Sequence, residues 1–250
     1  MTAISEILKR KQNPKIVVLT GAGISAESGI KTFRDNNGLW ENHSVEEVAT
    51  PEGFAANPTL VYRFYNERRE QLLSKDVNPN KAHVALGELE KSFKNNLIIV
   101  TQNVDDLHER GGNKNVIHMH GSLLSAKCPL SQKSSRIVSP LNAQSLCKCC
   151  HPPTSLRPDI VWFGEIPYQM ETIETHLFEA DIFVSIGTSG NVYPAAGFVS
   201  LANQMGVYTL ELNLEPSNGN TNFTEKRYGK ASELVPDFVQ ECLALHTSKS

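Results

Sequence analysis

The chain has no apolar run approaching the roughly 20 residues that a membrane span requires, no surplus of positive charge, and no repeat or low-complexity tract. Its 24 Lys and Arg against 27 Asp and Glu leave a formal net charge of −3, with no basic stripe along the sequence. The electrostatic footprint of a nucleic-acid binder is therefore missing. The opening residues MTAISEILKRKQNPK lack the apolar core of a secretory signal, so a cytoplasmic protein with neither membrane nor nucleic-acid partner is expected. Cysteine is scarce and uneven: of five, Cys128, Cys147, Cys149 and Cys150 cluster, and Cys242 stands alone. In a reducing compartment such a cluster suggests metal before disulfide.

What is present is a run of short apolar segments, at 15–20, 97–101, 115–120, 159–163, 181–187 and 207–214. Most are continuous rather than alternating, as strands buried on both faces of a parallel sheet should be. Helical stretches at 57–73, 80–93, 169–179, 194–204 and 231–245 lie between them, Asn57 with Pro58 forming a cap and first turn. The alternation predicts an α/β fold with a Rossmann-like, doubly wound parallel sheet. Residues 31–96 offer no strand candidate, and 122–158 hold the cysteines but no strong periodic run. We read 1–34, 80–121 and 159–250 as one large Rossmann-like domain. The insertions 35–79 and 122–158 build a smaller helical and cysteine-containing module, resembling a zinc ribbon.

The stretch VVLTGAGISAESGI (17–30) leads a strand into a glycine turn. Gly21 and Gly23 permit positive φ and close backbone approach, and a helix after them would aim its amides at a phosphate. A dehydrogenase fingerprint would place a third glycine where Ala26 stands, and an acidic residue on a second strand about 20 residues on, where no strand is expected. The late run 207–214 instead exits through Asn213, Leu214 and Glu215, a polar end suited to an adenosine ribose. LIIVTQNVDDLH ends a strand in Gln102, Asn103 and Asp105, at the edge where open α/β sheets bind ligands. Such groups suit ribose hydroxyls and a carboxamide, although Asp105 or Asp106 could equally cap the following turn. In NVIHMHGS, His118 and His120 share one face of a strand. His120 emerges at its exit as a candidate general base.

Together GAGISAESGIKTFR, TQNVDDLHERGG, HMHGS, LRPDIVWFGE and IGTSGNVYPAAGF, in this order, resemble the motif series of the sirtuins, over about residues 13–245. The resemblance implies an NAD-dependent protein-lysine deacylase that consumes NAD as a co-substrate. The acyl oxygen of the modified lysine would displace nicotinamide. His120 would then draw a proton through the ribose hydroxyls, and water would complete release of lysine and 2′-O-acyl-ADP-ribose. It implies a cofactor site of Gly21, Ala22, Gly23, Ile24, Ala26 and Glu27, with Phe33, Arg34 and Trp40 in a loop over NAD. Gln102, Asn103 and Asp105 would hold nicotinamide and its ribose, completed by Gly187, Thr188, Ser189, Asn213, Leu214, Glu215 and Ala231. An acyl-lysine protein would lie between Val161, Phe163 and Gly164 on one side and Val192 on the other, adding a strand by backbone pairing.

On a helical wheel of LVYRFYNERREQLL, Leu60, Val61, Phe64, Tyr65 and Leu72 form an apolar stripe with Arg68 in its middle. A guanidinium there needs an anion, either an internal carboxylate or a ligand's. Tyr-x-x-Arg on this helix resembles class III sirtuins, implying that Tyr65 and Arg68 grip the carboxylate of succinyl or malonyl groups, with acetyl accepted as well. Ala26 matches the same subclass. For zinc, the family's paired cysteines are represented by Cys128, with Ser131 where its partner is expected, and by Cys147 with Cys150. Water, His151 or Cys149 could supply a fourth ligand; otherwise the module folds by packing alone. Two other outcomes share this site: transfer of ADP-ribose to a protein side chain, and a non-catalytic NAD sensor.

Overall fold

The computed structural model describes residues 3–11, 13–30, 39–40, 43–217 and 222–247. The elements run α1 (Ala3–Arg10), β1 (Ile16–Thr20), β2 (Leu39–Trp40), β3 (His43–Ser44), α2 (Val45–Val48), α3 (Pro51–Ala56) and α4 (Pro58–Leu72). There follow α5 (Lys81–Phe93), β4 (Leu97–Thr101), α6 (Leu107–Arg110), β5 (Val116–His118), β6 (Gly121–Lys127), β7 (Ser134–Arg136) and β8 (Arg157–Ile160). The chain closes with α7 (Met170–Phe178), β9 (Ile182–Ile186), α8 (Phe198–Gln204), β10 (Tyr208–Asn213), β11 (Glu225–Tyr228) and α9 (Ala231–Thr247).

Six strands form one parallel sheet in the order β11-β10-β9-β1-β4-β5. Its residues divide by period two between opposite layers, which is why the runs are apolar throughout. Ile16, Val18, Leu97 and Ile99 join α1, α5 and α9 on one face. Val17, Leu19, Ile98 and Val100 join α7 and α8 on the other. Helix starts follow from local chemistry: Asn57 Oδ1 accepts from Leu60 N at 3.1 Å before Pro58, and Asn80 Oδ1 accepts from Ala82 N at 2.9 Å.

Several expected strands differ. The run 159–163 does not enter the parallel sheet: β8 pairs antiparallel with β6, which also pairs with β7, in a separate three-stranded sheet. A short apolar run does not reveal its partner, and here the partner lies in the segment 122–158 that lacked a strong pattern. The strand at 115–120 stops at His118, so His120 stands in the turn before β6 and not on a shared strand face. Among the described residues of 31–96 there is a two-residue ladder, β2 with β3, and β11 extends the main sheet beyond the expected set. A second core gathers Val61, Phe64, Tyr65 and Leu72 of α4 with Leu123 and Leu124 of β6, Ile160 of β8, and Trp162.

Candidate active site

The turn after β1 is built by backbone contact. A Cβ on Gly21 would sit 2.8 Å from Gly187 O, and one on Gly23 2.7 Å from Gly187 Cα. Gly23 N donates to Gly187 O at 2.9 Å, and Gly21 N to Ile186 O at 3.0 Å. Neither Gly21 nor Gly23 has positive φ; Gly187 does, at +61°. Of the two uses expected from the sequence, the glycines therefore serve close backbone approach, here of two strand exits, and not positive φ. Nor does an α-helix follow. Ala22–Ile24 and Ala26–Ser28 form two 3₁₀ turns, with Ile24 buried and Ala26 and Glu27 exposed. Ser25 stands between the two turns, buried.

Ser25, which the sequence reading passed over, is the hub of the site. Its Oγ donates to Asp105 Oδ2 at 3.0 Å and accepts from Asn103 Nδ2 at 3.1 Å. Asn103 Nδ2 also donates to Gly21 O at 3.1 Å, tying the exit of β4 to that of β1. The signal was available: a hydroxyl directly after an apolar strand and a glycine turn, in a position bound to be buried. Asp105 is 4% exposed, and burial, only partly offset by its hydrogen bonds from Leu107 N and Ser25, raises its pKa to about 6. Its Oδ1 accepts from Leu107 N at 3.1 Å, a local bond to the first residue of α6, whereas the N-cap itself, Asp106, makes no side-chain cap bond.

The two histidines separate by their partners. His118 lies 2.7 Å from Glu109 Oε1 through Nε2 and 3.3 Å from Asn103 O through Nδ1. Both partners are acceptors, so both ring nitrogens donate; although burial disfavours the charge, Glu109 and the Asn103 carbonyl raise the pKa. His120 Nδ1 donates to Gln102 O at 3.1 Å, which leaves the lone pair on Nε2. Burial lowers its pKa, with the Gln102 carbonyl opposing, so the ring is neutral at pH 7. The His120 carbonyl accepts from Val161 N at 2.9 Å, joining the candidate base to the segment expected to meet substrate. Phe163 is 50% exposed and Gly164 is exposed beside it, whereas Val161 and Val192 are half-buried.

Gln102, Thr188 and Val192 line a cavity of about 20 Å³ with Leu19 and Phe183. A larger open cavity, about 970 Å³, lies between the outer face of α4 and residues 138–144 and includes none of the candidate residues. Asn213 Nδ2 donates to Thr188 O at 2.8 Å, ordering the exits of β9 and β10, while Ser189 is half-buried and Leu214 and Glu215 are exposed. Glu27 accepts from Ser232 N at 3.0 Å and Ser232 Oγ at 2.7 Å, bringing the first turn of α9, opened by Ala231, to the glycine turn. Phe33 and Arg34 lie outside the described residues, as does the side chain of Trp40, whose backbone is in β2.

On α4, Tyr65 is wholly buried, and its hydroxyl accepts from Trp162 Nε1 at 3.0 Å. Arg68 is 14% exposed in its side chain and lies 4.0 Å from the Phe64 ring centroid. It donates to Phe64 O at 2.9 Å and to Glu67 Oε2 at 3.1 Å. The wheel put Arg68 at the centre of the buried stripe, but the deepest cation is Arg69, 2% exposed, donating to Leu123 O at 2.7 Å and Asn66 Oδ1 at 2.8 Å. The second sheet, β6 with its neighbours, widens the covered arc of α4 beyond what one stripe indicates.

The sulfurs of Cys128, Cys147, Cys149 and Cys150 all lie within 4.8 Å of one another. Cys128 to Cys150 is 3.6 Å and Cys149 to Cys150 is 3.9 Å. Four thiolates at the usual zinc–sulfur length would stand about 3.8 Å apart, so this donor set fits a structural tetrahedral zinc. Cys149 takes the place open in the sequence, with Ser131 Oγ 3.0 Å from its sulfur. Elemental analysis of the purified protein is expected to find one zinc per chain, falling well below that in Cys149→Ser.

Comparison with known proteins agrees with this geometry. Residues 21–194 match the Sir2 family. The chain is 62% identical to the NAD-dependent protein deacylase of Pasteurella multocida (strain Pm70), over 92% of this chain and 98% of that one. It is 57% identical to the protein of the same description from Vibrio cholerae serotype O1, over 92% and 93%. Among solved structures, a Sir2 homologue in complex with NAD superposes with a TM-score of 0.84 at 38% identity, covering 98% of this chain and 96% of that one. A Sir2–p53 peptide–NAD⁺ complex gives 0.77 at 29%, covering 96% and 98%. The polar cluster at the sheet edge, the cysteine tetrad and the sequence match over residues 21–194 lead to one conclusion: this chain belongs to the Sir2 family.

Proposed function

We propose that this NAD-dependent deacylase removes succinyl and malonyl groups, and acetyl groups as well, from lysine side chains of proteins, releasing nicotinamide and 2′-O-acyl-ADP-ribose. The observation that carries the reading is the meeting of Asn103, Asp105 and His120 at the carboxyl edge of the parallel sheet, beside the backbone contact of Gly21 and Gly23 with Gly187. NAD bound there supplies an anomeric carbon from which nicotinamide can leave. In this reading Asn103 and Asp105 orient the carboxamide and its ribose, with Gln102 at the ribose. The turn from Gly21 to Glu27, and Gly187, Thr188, Ser189, Asn213, Leu214, Glu215 and Ala231, hold the rest of the dinucleotide. His120 Nε2 accepts the proton passed through the ribose hydroxyls. Val161, Phe163, Gly164 and Val192 flank the peptide.

Tyr65 and Arg68 select the acidic acyl chain, because a phenol and a guanidinium one turn apart on α4 can bind a carboxylate together. Zinc, held by the four thiolates, would brace the loop between β6 and β8 and take no chemical part. We propose the same division as from sequence, into a large unit (1–34, 80–121, 159–250) and a small one (35–79, 122–158). A cytoplasmic setting with protein rather than nucleic-acid or membrane partners belongs to this reading. A net charge of −3 supports it, and no described helix is long and apolar enough to cross a membrane.

The test is incubation of the purified protein with NAD and sequence-matched acetyl-, malonyl- and succinyl-lysine peptides, read by mass spectrometry. Loss of all three acyl masses, each with an equimolar acyl-ADP-ribose, is the expected outcome. ADP-ribose appearing on protein with the acyl-lysine untouched would overturn it in favour of ADP-ribosyl transfer.

A further inference from the structure

Trp162 stands two residues past the end of β8, between Val161 and Phe163, and is 2% exposed. Its Nε1–H donates to Tyr65 Oη at 3.0 Å across 97 residues of sequence. An indole nitrogen can only donate, so Tyr65 Oη is the acceptor, and the phenolic hydrogen is directed away from Trp162. The indole is itself fixed on several sides. Phe54 lies 5.2 Å from it between ring centroids, and the Arg157 guanidinium sits 3.7 Å from its centroid. Glu165 accepts from Arg157 at 2.7 and 2.8 Å and from Trp162 N at 2.9 Å, clamping cation and backbone together. A cation over the face draws density from the ring and makes the N–H a stronger donor. Packing alone does not require that N–H, since a buried polar group is costly unless it is bonded.

We infer that Trp162 is a specificity-determining positioning residue, which acts through Tyr65 to aim the phenolic hydroxyl at the carboxylate of an acidic acyl group. The inference rests on the reading that Tyr65 and Arg68 receive that carboxylate. Without the indole N–H the phenol oxygen loses the bond that holds it toward Trp162, and binding of succinyl-lysine weakens relative to acetyl-lysine.

The experiment compares Trp162→Phe, Tyr65→Phe, their double variant and Arg68→Met on matched succinyl- and acetyl-lysine peptides, with thermal melts to confirm folding. Trp162→Phe is expected to raise the succinyl-to-acetyl KM ratio by about 3- to 10-fold, the worth of one hydrogen bond, with the kcat ratio little changed. In the Tyr65→Phe background the same change should leave the ratio where Tyr65→Phe put it, because the indole then has no hydroxyl to orient. If Trp162→Phe does not fold, benzothienylalanine at 162 keeps the ring volume with sulfur in place of N–H, and the same shift is expected. Equal KM changes on both peptides, or a further shift in the Tyr65→Phe background, would overturn the role of Trp162 alone. An unchanged ratio in Tyr65→Phe and Arg68→Met would overturn the acyl-chain reading on which it rests.

Discussion

Replacing His120 by alanine is expected to lower kcat for deacylation by about 10²- to 10⁴-fold, the range a positioned general base contributes. The substitution leaves the main-chain tie at this residue in place: its carbonyl accepts from Val161 N at 2.9 Å whatever the side chain. The imidazole contributes its bond from Nδ1 to Gln102 O at 3.1 Å and the lone pair on Nε2. In the proposed sequence the proton is drawn only after nicotinamide has left, so exchange of labelled nicotinamide into NAD should survive in His120→Ala while release of acyl-ADP-ribose stops. Deacylation within tenfold of the parent would remove His120 from the role. The pH profile gives a second reading. The active form of the base is neutral, and burial holds its pKa below the ordinary histidine value, so activity should persist as pH falls through that value. The proposed mechanism uses Asp105 as a carboxylate, and burial pushes its pKa up to about 6, so on that reading kcat/KM should hold from neutral pH down toward that region and fall below it.

Arg68→Met should cost desuccinylation about 10²- to 10³-fold in kcat/KM and deacetylation no more than a few-fold, measured on matched peptides. The large figure follows from removing one partner of a charge pair in a poorly solvated site, about 3–5 kcal/mol, part of which the loss of charge on Arg68 itself offsets. Methionine keeps the aliphatic stem of Arg68 and a good helix propensity while removing the guanidinium, with its contact to the Phe64 ring and its bond to Phe64 O. Glu67, 3.1 Å from Arg68 Nη1, does not substitute for the acyl carboxylate: its side chain is 54% exposed, and an exposed pair is worth little. Equal losses on the two substrates would show that Arg68 supports the helix and does not read the acyl chain.

How far the sequence reached depended on whether the signal was local. The continuous apolar runs at 15–20, 97–101, 181–187 and 207–214 gave strands of one parallel sheet, because burial on both faces leaves no polar alternation. The run 159–163 carried the same signature but joined another sheet, since apolarity reports burial and not the partner. Arg68 and Arg69 could not be ranked from a wheel, because a second sheet covers part of the face a single stripe would leave to solvent. Cys149 remained one of several choices until the loop brought its sulfur beside that of Cys150.

By itself the sequence determined the α/β class, the motif series and the residue types at the site, because short-range patterning and motif order are written in it directly. Tertiary structure alone decided why Gly21 and Gly23 are glycine, which is contact with Gly187, and that Ser25 links Asn103 to Asp105. It also decided that Trp162 holds Tyr65. Each of these joins groups far apart in the chain, and the distance between such groups is set only when sheet and loops pack.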